Sequence, residues 1–261
     1  MPDEKRVSIR DGLYEIRYFT AGQGEPLLFL HGSGGLTWAR FLDELAKDYA
    51  VTAPEHPGYG ESSGLDALDD MTDFALYVGD FCDAVGIERA HVIGHSLGGM
   101  LAAEAAILQA EYVNKLVICN AIGFWRDETP VLDYIITPPE QLMAAAFHDL
   151  ESPAVAEAFK APETGEEMQQ MLYERTKSFM AAGKFAWPIP DRGLKRRIHR
   201  IKAPTLIVWG EHDGLVPPVY VEDFQSGIKN SKVLIMKDVA HMPMYEDPDG
   251  FVGAVKDFLK D

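Results

Sequence analysis

Short runs of apolar and β-branched residues recur along the chain and alternate with segments whose apolar positions have helical spacing. Several runs are apolar without alternation, such as residues 27–30 and 206–209, which is typical of strands buried on both faces. The pattern predicts an α/β protein with a mostly parallel sheet wrapped in helices. The predicted strands are residues 14–20, 26–31, 49–53, 90–94, 113–120, 205–210 and 232–236.

Three helices are predicted from apolar spacing and from signals at their ends. They cover residues 72–85, 97–110 and 248–260. The first has Thr72 or Asp73 as its N-cap and ends at Gly86, a residue type that favours the left-handed conformation after a helix. The second is rich in Ala and Leu, and the third opens near a proline and has one apolar face.

The stretch from about residue 121 to residue 192 interrupts this alternation of strands and helices. It contains no convincing strand, several prolines and clusters of aromatic residues and methionines. We therefore predict that residues 1–120 and 193–261 form the core and that residues 121–192 form a helical cap, or lid, inserted over the sheet. The alternative is that these residues are only a set of surface helices.

Length and charge restrict the class of protein. The chain has 261 residues, 47% of them hydrophobic, and a formal net charge of −17, so one large α/β domain with a modest insertion can bury a core. The negative charge argues against a nucleic-acid partner and against docking on an anionic membrane, because both draw affinity from clustered Lys and Arg. We interpret the basic run between residues 192 and 202 as the solvated side of a helix.

Cysteine usage and the first residues bear on the cellular compartment. Cys82 and Cys119 are too few for a disulfide framework, which favours a reducing compartment. The N-terminal residues form no apolar leader, and no apolar stretch reaches about 18 residues. We expect a cytoplasmic location and no membrane partner.

A Gly-x-Ser-x-Gly motif, GHSLGG at residues 94–99, lies between a predicted strand and a predicted Ala-rich helix. The turn from strand to helix is so sharp that Gly94 and Gly98 must lack side chains. Ser96 is thereby held at the carboxyl edge of the sheet, at the positive end of the following helix. This context favours a catalytic nucleophile over a Ser/Gly-rich turn without chemistry.

A glycine-rich loop, HGSGG at residues 31–35, follows another predicted strand. Its glycines allow a tight turn whose N–H groups can point at a developing oxyanion. The candidate donors are the backbone amides of Ser33 and Leu97, and Gly34 is an alternative. A phosphate-binding loop is the rival interpretation, but neither G-x-G-x-x-G nor the P-loop lysine is present.

The loops after the last two predicted strands supply a candidate acid and a candidate base. Asp213 could accept a hydrogen bond from an imidazole Nδ1–H and orient the ring, and Glu211 competes with it. His241 is the histidine that follows both Ser96 and Asp213 in the chain. It completes the order Ser, Asp, His.

No metal site and no cofactor are predicted. His91 and His95 are four residues apart, but they lie on a strand-to-turn segment and lack the helical face that a metal site would need. The histidines other than His241 are interpreted as structural or exposed.

Together these motifs resemble those of the α/β-hydrolase superfamily, close to its small cap-bearing, esterase-like enzymes. The resemblance spans nearly the whole chain and rests on His-Gly at 31–32, PGYGES at 57–62, GHSLGG at 94–99, GEHD at 210–213 and His241. It implies an eight-stranded sheet, a cap after the sixth core strand and a triad of Ser96, Asp213 and His241. Glu55 departs from the family, in which Asp usually starts that loop, and this affects only the turn.

The resemblance implies hydrolysis of a small, largely apolar carboxylic ester or lactone through an acyl-enzyme on Ser96. Members that open epoxides or carbon–halogen bonds use Asp at the elbow, which Ser96 disfavours. Carbon–carbon bond hydrolases of the meta-cleavage type are the alternative, although they usually have Trp after the catalytic His, where this chain has Met242. A non-catalytic ligand receptor on the same fold is an alternative of another class.

A substrate pocket is predicted from residues near the motifs and from aromatic residues of the cap, which suit an apolar acyl or aromatic group. Its predicted members are Gly32, His95, Phe124, Trp125, Phe147, Trp187 and Met242. Arg126 could meet a substrate carboxylate, although an exposed charge is the simpler interpretation. We expect a monomer or homodimer that acts on a small molecule.

Overall fold

A computed structural model of the chain describes residues 1–159 and 162–260. Its strands are β1 (Asp3–Ile9), β2 (Tyr14–Ala21), β3 (Glu25–Leu30), β4 (Tyr49–Pro54), β5 (Ala90–His95), β6 (Val113–Cys119), β7 (Thr205–Gly210) and β8 (Ser231–Met236). They form one sheet in the order β1-β2-β4-β3-β5-β6-β7-β8. The pairs β1–β2 and β2–β4 are antiparallel and the other neighbours are parallel, so the predicted mostly parallel sheet is confirmed.

The connections between strands are mainly helical. The α-helices of the described residues are α1 (Arg40–Leu45), α2 (Met71–Val85), α3 (Leu97–Leu108), α4 (Pro139–Ala146), α5 (Pro153–Ala158), α6 (Gly165–Ala186), α7 (Leu194–Arg197), α8 (Val221–Gly227), α9 (Pro243–Glu246) and α10 (Pro248–Lys260). None of these helices combines the length and the apolar character that crossing a membrane requires.

The predicted strands are all found, with ends shifted by no more than about one residue. Strand β1 was not predicted from the apolar pattern. Its sequence DEKRVSI is mostly exposed, because it forms an edge of the sheet and pairs only with β2. Charged edge strands also discourage pairing with a second chain.

Helix α2 corrects one detail of the sequence analysis. Its N-cap is Asp70, whose side chain accepts hydrogen bonds from the N–H groups of Thr72 and Asp73, so the prediction of Thr72 or Asp73 as the cap was wrong. Both lie inside the first turn, where backbone N–H groups need an acceptor. Gly86 ends the helix with a φ of 75°, as predicted. Helix α3 ends at Leu108, earlier than predicted.

Apolar side chains pack in two layers, one on each face of the sheet. In β3, Leu28 and Leu30 belong to one layer and Leu27 and Phe29 to the other, because successive strand residues point to opposite faces. Strands β5 and β7 are buried along their whole length. This double coverage explains the runs without alternation in the sequence.

The segment of residues 121–192, called the insertion below, contains α4, α5 and α6 and no strand among its described residues. Its helix α6 packs on the core through Phe185, whose ring stacks on that of Phe74 at 4.4 Å. Three apolar residues of the same helix, Met168, Met171 and Leu172, are exposed. The insertion is helical, as predicted, while its division from the core as a separate cap domain stays a prediction.

The basic run after the insertion forms α7 and a short 3-10 turn. Leu194 and Ile198 are buried, and Arg196 between them is exposed. Arg197 donates to the buried carboxylate of Glu104, with Nε 3.1 Å from Oε2. The apolar side of this segment therefore faces the core, and two of the charges of the basic run, Arg192 and Arg197, donate to partners within the protein.

Candidate active site

A sharp turn between β5 and α3 holds Ser96 in a conformation that is unusual for a residue other than glycine. Its φ is 54° and its ψ is −115°, which costs about 1–3 kcal/mol. The Ser96 N–H donates to the Cys119 carbonyl at 2.9 Å, and the Ile122 N–H donates to the Ser96 carbonyl at 3.3 Å. A side chain at Gly94 would collide with the Gly98 carbonyl. The turn therefore requires glycine there, as the motif indicated.

The loops after β7 and β8 bring Asp213 against His241. The distance between His241 Nδ1 and Asp213 Oδ2 is 2.8 Å, and both side chains are buried. The other carboxylate oxygen accepts hydrogen bonds from the N–H groups of Leu215 and Val216, both at 2.9 Å. Glu211, the competing acid, is exposed. Of the two candidate acids, Asp213 is the one that binds the His241 ring.

Asn120 belongs to this cluster, and the sequence analysis did not identify it. It follows β6, is fully buried and has a φ of 45°. Its Nδ2 donates to Asp213 Oδ2 at 2.6 Å and to the Ala240 carbonyl at 3.3 Å. One amide thus ties the loop after β7 to the loop after β8. A polar residue directly after a buried strand is the signal that could have revealed it.

Glu246 in α9 is a second residue that the sequence analysis missed, and it holds the backbone around His241. Its Oε1 accepts hydrogen bonds from the N–H groups of Ala240 at 2.9 Å and Met242 at 3.2 Å. Its Oε2 accepts from the N–H of His148, in the insertion, at 2.7 Å. A single carboxylate therefore joins the loop of the candidate base to the insertion.

The glycine-rich loop after β3 lies beside Ser96. A Cβ at Gly32 would stand 3.1 Å from the Ser96 Cβ. Leu97 occupies the first position of α3, where a backbone N–H has no acceptor within the helix. Among the described residues, no protein group accepts a hydrogen bond from the N–H of Ser33 or of Leu97. Their function as oxyanion donors stays a prediction that this arrangement allows.

Comparison with known protein families identifies the family of the chain. The model of the "Alpha/beta hydrolase family" matches residues 27–254, a stretch that includes Ser96, Asp213 and His241. The chain belongs to the alpha/beta hydrolase family. The eight-stranded sheet of this hydrolase is the one that the motif resemblance implied.

Curated relatives of the hydrolase differ in activity. It is 31% identical to the dihydrolipoyllysine-residue acetyltransferase component of the acetoin cleaving system of Cupriavidus necator, over 95% of this chain and 67% of that protein. It is 28% identical to the pimeloyl-[acyl-carrier protein] methyl ester esterase of Vibrio atlanticus, over 96% and 99%. It is 26% identical to the 2-hydroxy-6-oxo-6-(2'-aminophenyl)hexa-2,4-dienoic acid hydrolase of Metapseudomonas resinovorans, over 96% and 89%. These relatives show the family and leave the substrate open.

A solved structure gives the same result for the whole chain. A bacterial membrane phospholipase A matches the hydrolase with a TM-score of 0.82 and 25% identity, over 99% of this chain and 86% of that chain. The fold therefore extends through the insertion as well as the core.

Two buried histidines near the elbow of the hydrolase stay neutral. His95 Nε2 donates to the His241 carbonyl at 2.8 Å. Burial, with the nearby His241, lowers the pKa of His95 to about 3. Burial also lowers the pKa of His31 to about 4, and His31 Nε2 accepts the N–H of His56 at 3.1 Å. His95 thus holds the backbone of the His241 loop, and His31 holds the backbone of the loop after β4.

Phe124 and Trp125, which were predicted to line the pocket, each contact another side chain of the hydrolase. The ring of Phe124 packs edge-on against Phe224 at 4.7 Å, and the Trp125 indole N–H donates to a nearby carboxylate. Arg126 Nε donates to Asp223 at 2.7 Å. The guanidinium that could have bound a substrate carboxylate is therefore paired with a carboxylate of the protein. A pocket function for Phe124 and Trp125 stays a prediction.

Other predicted pocket residues lie in the insertion or near the candidate base. Phe147 packs against Phe159 at 5.4 Å, and Met242 contacts both apolar layers. Trp187 is 46% exposed and donates its indole N–H to Asp133 at 2.9 Å. Of these three, Trp187 lines a cavity.

That cavity is an apolar groove of about 540 Å³, called the insertion groove below, lined by Ile135, Ile136, Leu172, Arg175, Thr176, Phe179, Met180, Gly183 and Trp187. Tyr134 connects it to the glycine-rich loop. The Tyr134 ring meets that of Phe179 at 5.6 Å, and Ser33 Oγ donates to the Tyr134 hydroxyl at 3.1 Å. Burial raises the pKa of Tyr134 to about 12, so the phenol keeps its proton.

Proposed function

We propose that this hydrolase cleaves a carboxylic ester or lactone of a small, largely apolar compound. Ser96 is the nucleophile, His241 the general base and Asp213 the acid that orients the ring. The observation that carries the proposal is the buried hydrogen bond of 2.8 Å between His241 and Asp213, formed at the sheet edge that also holds the strained turn at Ser96. A hydroxyl nucleophile needs a base that a third group keeps in the right tautomer.

In the proposed reaction, His241 Nε2 accepts the Ser96 Oγ proton while Oγ attacks the ester carbonyl carbon. The N–H groups of Ser33 and Leu97 bind the oxyanion. The imidazolium gives its proton to the leaving alkoxide, which departs as the alcohol and leaves an acyl-enzyme on Ser96. Water then loses a proton to His241, attacks the acyl carbon and releases the acid, while the Ser96 oxygen regains its proton.

The apolar part of the substrate is proposed to lie in the insertion groove. Its volume of about 540 Å³ falls within the range of small-molecule sites, which are mostly apolar. A chain of contacts supports this position: Phe179 lines the groove, its ring meets that of Tyr134, and the Tyr134 hydroxyl accepts a hydrogen bond from Ser33. The methyl ester esterase among the relatives supports an ester as the scissile group.

Hydrolysis of a carbon–carbon bond in a vinylogous diketone is the second candidate. The hexadienoic acid hydrolase of Metapseudomonas resinovorans supports it, at 26% identity over 89% of that protein. Such enzymes usually have Trp directly after the catalytic His, whereas this chain has Met242 there, which favours an ester as the substrate. Both reactions would use the same serine, so only substrates can distinguish them.

The test is to compare the wild-type protein with Ser96→Ala on p-nitrophenyl esters of graded acyl length, on lactones and on a vinylogous diketone. We expect S96A to fold normally and to lose nearly all turnover, since removal of the nucleophile leaves only binding effects. Ser226→Ala, at an exposed serine of α8, is the matched control and keeps full activity. Full activity of S96A would contradict the nucleophile assignment, and a preference for the diketone would favour the second candidate.

A fluorophosphonate probe tests the alternative that the protein is a non-catalytic receptor. We expect the probe to label the wild-type protein and S226A, and to leave S96A unlabelled. An unlabelled wild-type protein would favour a receptor. The cytoplasmic location, the monomeric or homodimeric state and the lack of nucleic-acid and membrane partners stay predictions.

A further inference from the structure

Three side chains that are far apart in the sequence meet on the surface beside the proposed active site. They are His148 in the insertion, His212 after β7 and Asp238 after β8, and together they are called the surface cluster below. One ligand atom of each lies within 4.8 Å of the others, and all three residues are exposed. The rings of His148 and His212 stack at 4.3 Å with an angle of 14° between their planes.

The backbone holds these three positions together without any ion. The His212 N–H donates to the carbonyl of Val239, the residue after Asp238, at 2.9 Å. The His148 N–H donates to Glu246 Oε2 at 2.7 Å, and the other oxygen of that carboxylate holds the loop of His241. Asp238 has a φ of 53°, a conformation that Asp tolerates better than most residues. The donor atoms can therefore converge by side-chain rotation alone.

The chemistry of the donors selects the kind of ion. Two imidazoles and one carboxylate suit borderline divalent ions such as Zn²⁺, whereas Mg²⁺ and Ca²⁺ prefer oxygen ligands. The ligand atoms of a tetrahedral zinc lie about 3.3 Å apart, so the cluster must close by a rotation that exposed side chains can make. The exposed carboxylate of Glu211, 3.8 Å from His212 Nε2, adds negative charge nearby.

We propose that His148, His212 and Asp238 bind one zinc-type divalent ion, which joins the insertion to the two loops that bear Asp213 and His241. The sequence analysis predicted no metal site, because the three ligands have no recognisable spacing in the chain. The ion would not touch the reacting atoms, since Asp213 and His241 are buried while the cluster is exposed. Its function is to fasten the insertion.

The positions of the three ligands show which parts of the chain the ion would hold together. His212 is next to Asp213 in the chain, and Ala146, two residues before His148, accepts the backbone N–H of His241 at 3.0 Å. Ligation would therefore hold the insertion against the loop of the proposed base. An ion that binds only the folded protein raises its stability, so zinc raises the melting temperature.

The experiment is a calorimetric titration of the untagged full chain, freed of metal by a chelator, with ZnCl₂. We expect one Zn²⁺ per chain, with affinity at least about tenfold weaker in His148→Ala and in His212→Ala. Asp238→Asn, which tolerates the same backbone conformation, weakens binding as well. His199→Ala, at an exposed histidine outside the cluster, is the matched control and binds like the wild type.

Melting curves with and without ion provide a second readout that does not depend on the catalytic proposal. We expect Zn²⁺ to raise the melting temperature of the wild type and of H199A, but not of H148A or H212A, and we expect no such effect of Mg²⁺. Circular dichroism checks that the variants fold. Absence of zinc binding, unchanged binding in both cluster variants, or equal loss in H199A would each overturn the proposal.

Discussion

The carboxyl edge of the sheet and the insertion groove differ in how their side chains are held. At the edge, the Asp213 carboxylate takes part in four hydrogen bonds, with two backbone N–H groups, Asn120 and His241. In the groove, Met180 is 74% exposed and Trp187 is 46% exposed, although both are large apolar side chains. The carboxylate at the sheet edge is buried and hydrogen-bonded through both oxygens, and the groove is open and mostly apolar.

Positioning the reacting groups and selecting a substrate therefore depend on different forces. Hydrogen bonds are directional, so a buried network holds its atoms within narrow limits. Apolar contacts have no direction, and methionine side chains adapt to differently shaped ligands. We therefore expect changes at the sheet edge to lower kcat for every substrate, and changes in the groove to alter the preference among substrates.

The largest effect is expected from Asp213→Asn, which replaces the carboxylate at the centre of the hydrogen-bonded region. It should lower kcat roughly 10⁴-fold with little change in folding, because an amide neither keeps the His241 tautomer nor stabilises the imidazolium. Steady-state kinetics on a short ester and a melting curve check this. Glu211→Gln, at the exposed acid two residues away, is the control and keeps its kcat. A D213N variant with wild-type kcat would show that another group is the acid.

Asn120→Ala tests how much the hydrogen bond from Asn120 to the Asp213 carboxylate contributes to catalysis. We expect kcat to fall about 10- to 100-fold with KM nearly constant, because a hydrogen bond to a charged group contributes about 1.5–3 kcal/mol. The control is Asn114→Ala, six residues earlier next to the start of the same strand and only partly buried. A rise in KM alone would contradict a positioning function for Asn120.

Phe179→Ala tests the insertion groove. It should lower kcat/KM about tenfold for long-chain esters and leave acetate esters unchanged, because only a long chain buries apolar surface in the groove. Tyr173→Ala, in the same helix but 61% exposed and outside the groove, is the control. Equal losses for short and long esters would exclude the groove as the binding site of the chain.

The smallest effect concerns stability, and it depends on two buried histidines at the sheet edge. The folded pKa values of His31 and His95 are about 4 and about 3, while an unfolded imidazole titrates near 6.5. Between those values the unfolded chain binds more protons, so stability falls as pH falls from about 6.5 toward 4. We expect the melting temperature to drop by a few degrees over this range.

Melting curves at several pH values measure this drop. His95→Gln, which retains a donor for the His241 carbonyl, should flatten the dependence on pH. His199→Gln, at an exposed histidine, should not change it. A melting temperature independent of pH in the wild-type protein would contradict the neutral, buried state of the two rings.

Much of the fold was predictable because its causes are local. Strands β3 and β7 were readable from the unbroken apolar runs at residues 27–30 and 206–209, since helices cover both faces of the sheet. Strand β1 escaped prediction because an exposed edge strand needs no apolar face. At α2, the cap was misassigned by two or three residues, because several neighbouring side chains could each accept the same N–H groups.

The candidate site was predictable only in part. The turn at Ser96 was readable because its motif has glycine at two positions without room for a side chain. A Cβ at Gly94 would meet the Gly98 carbonyl within the turn, and a Cβ at Gly98 would meet the Leu30 carbonyl of β3. Asn120 and Glu246 were missed, since Asn120 binds Asp213, 93 residues further along the chain, and Glu246 joins the loop of His241 to His148, 98 residues earlier. The place of Asn120 directly after a buried strand marks it as a candidate, but nothing around either residue in the sequence indicates its partner.

The mostly parallel sheet, the elbow and the order of Ser96, Asp213 and His241 follow from the amino-acid sequence, because periodic burial and backbone sterics act over a few residues. The folded structure was needed to show that Asp213 rather than Glu211 meets His241, and that His148, His212 and Asp238 share one patch of surface. Those outcomes depend on which loops meet at the edge of the sheet and on the direction of each side chain there. Hydrogen bonds and metal ligands act over a few ångströms in space, whatever the separation along the chain.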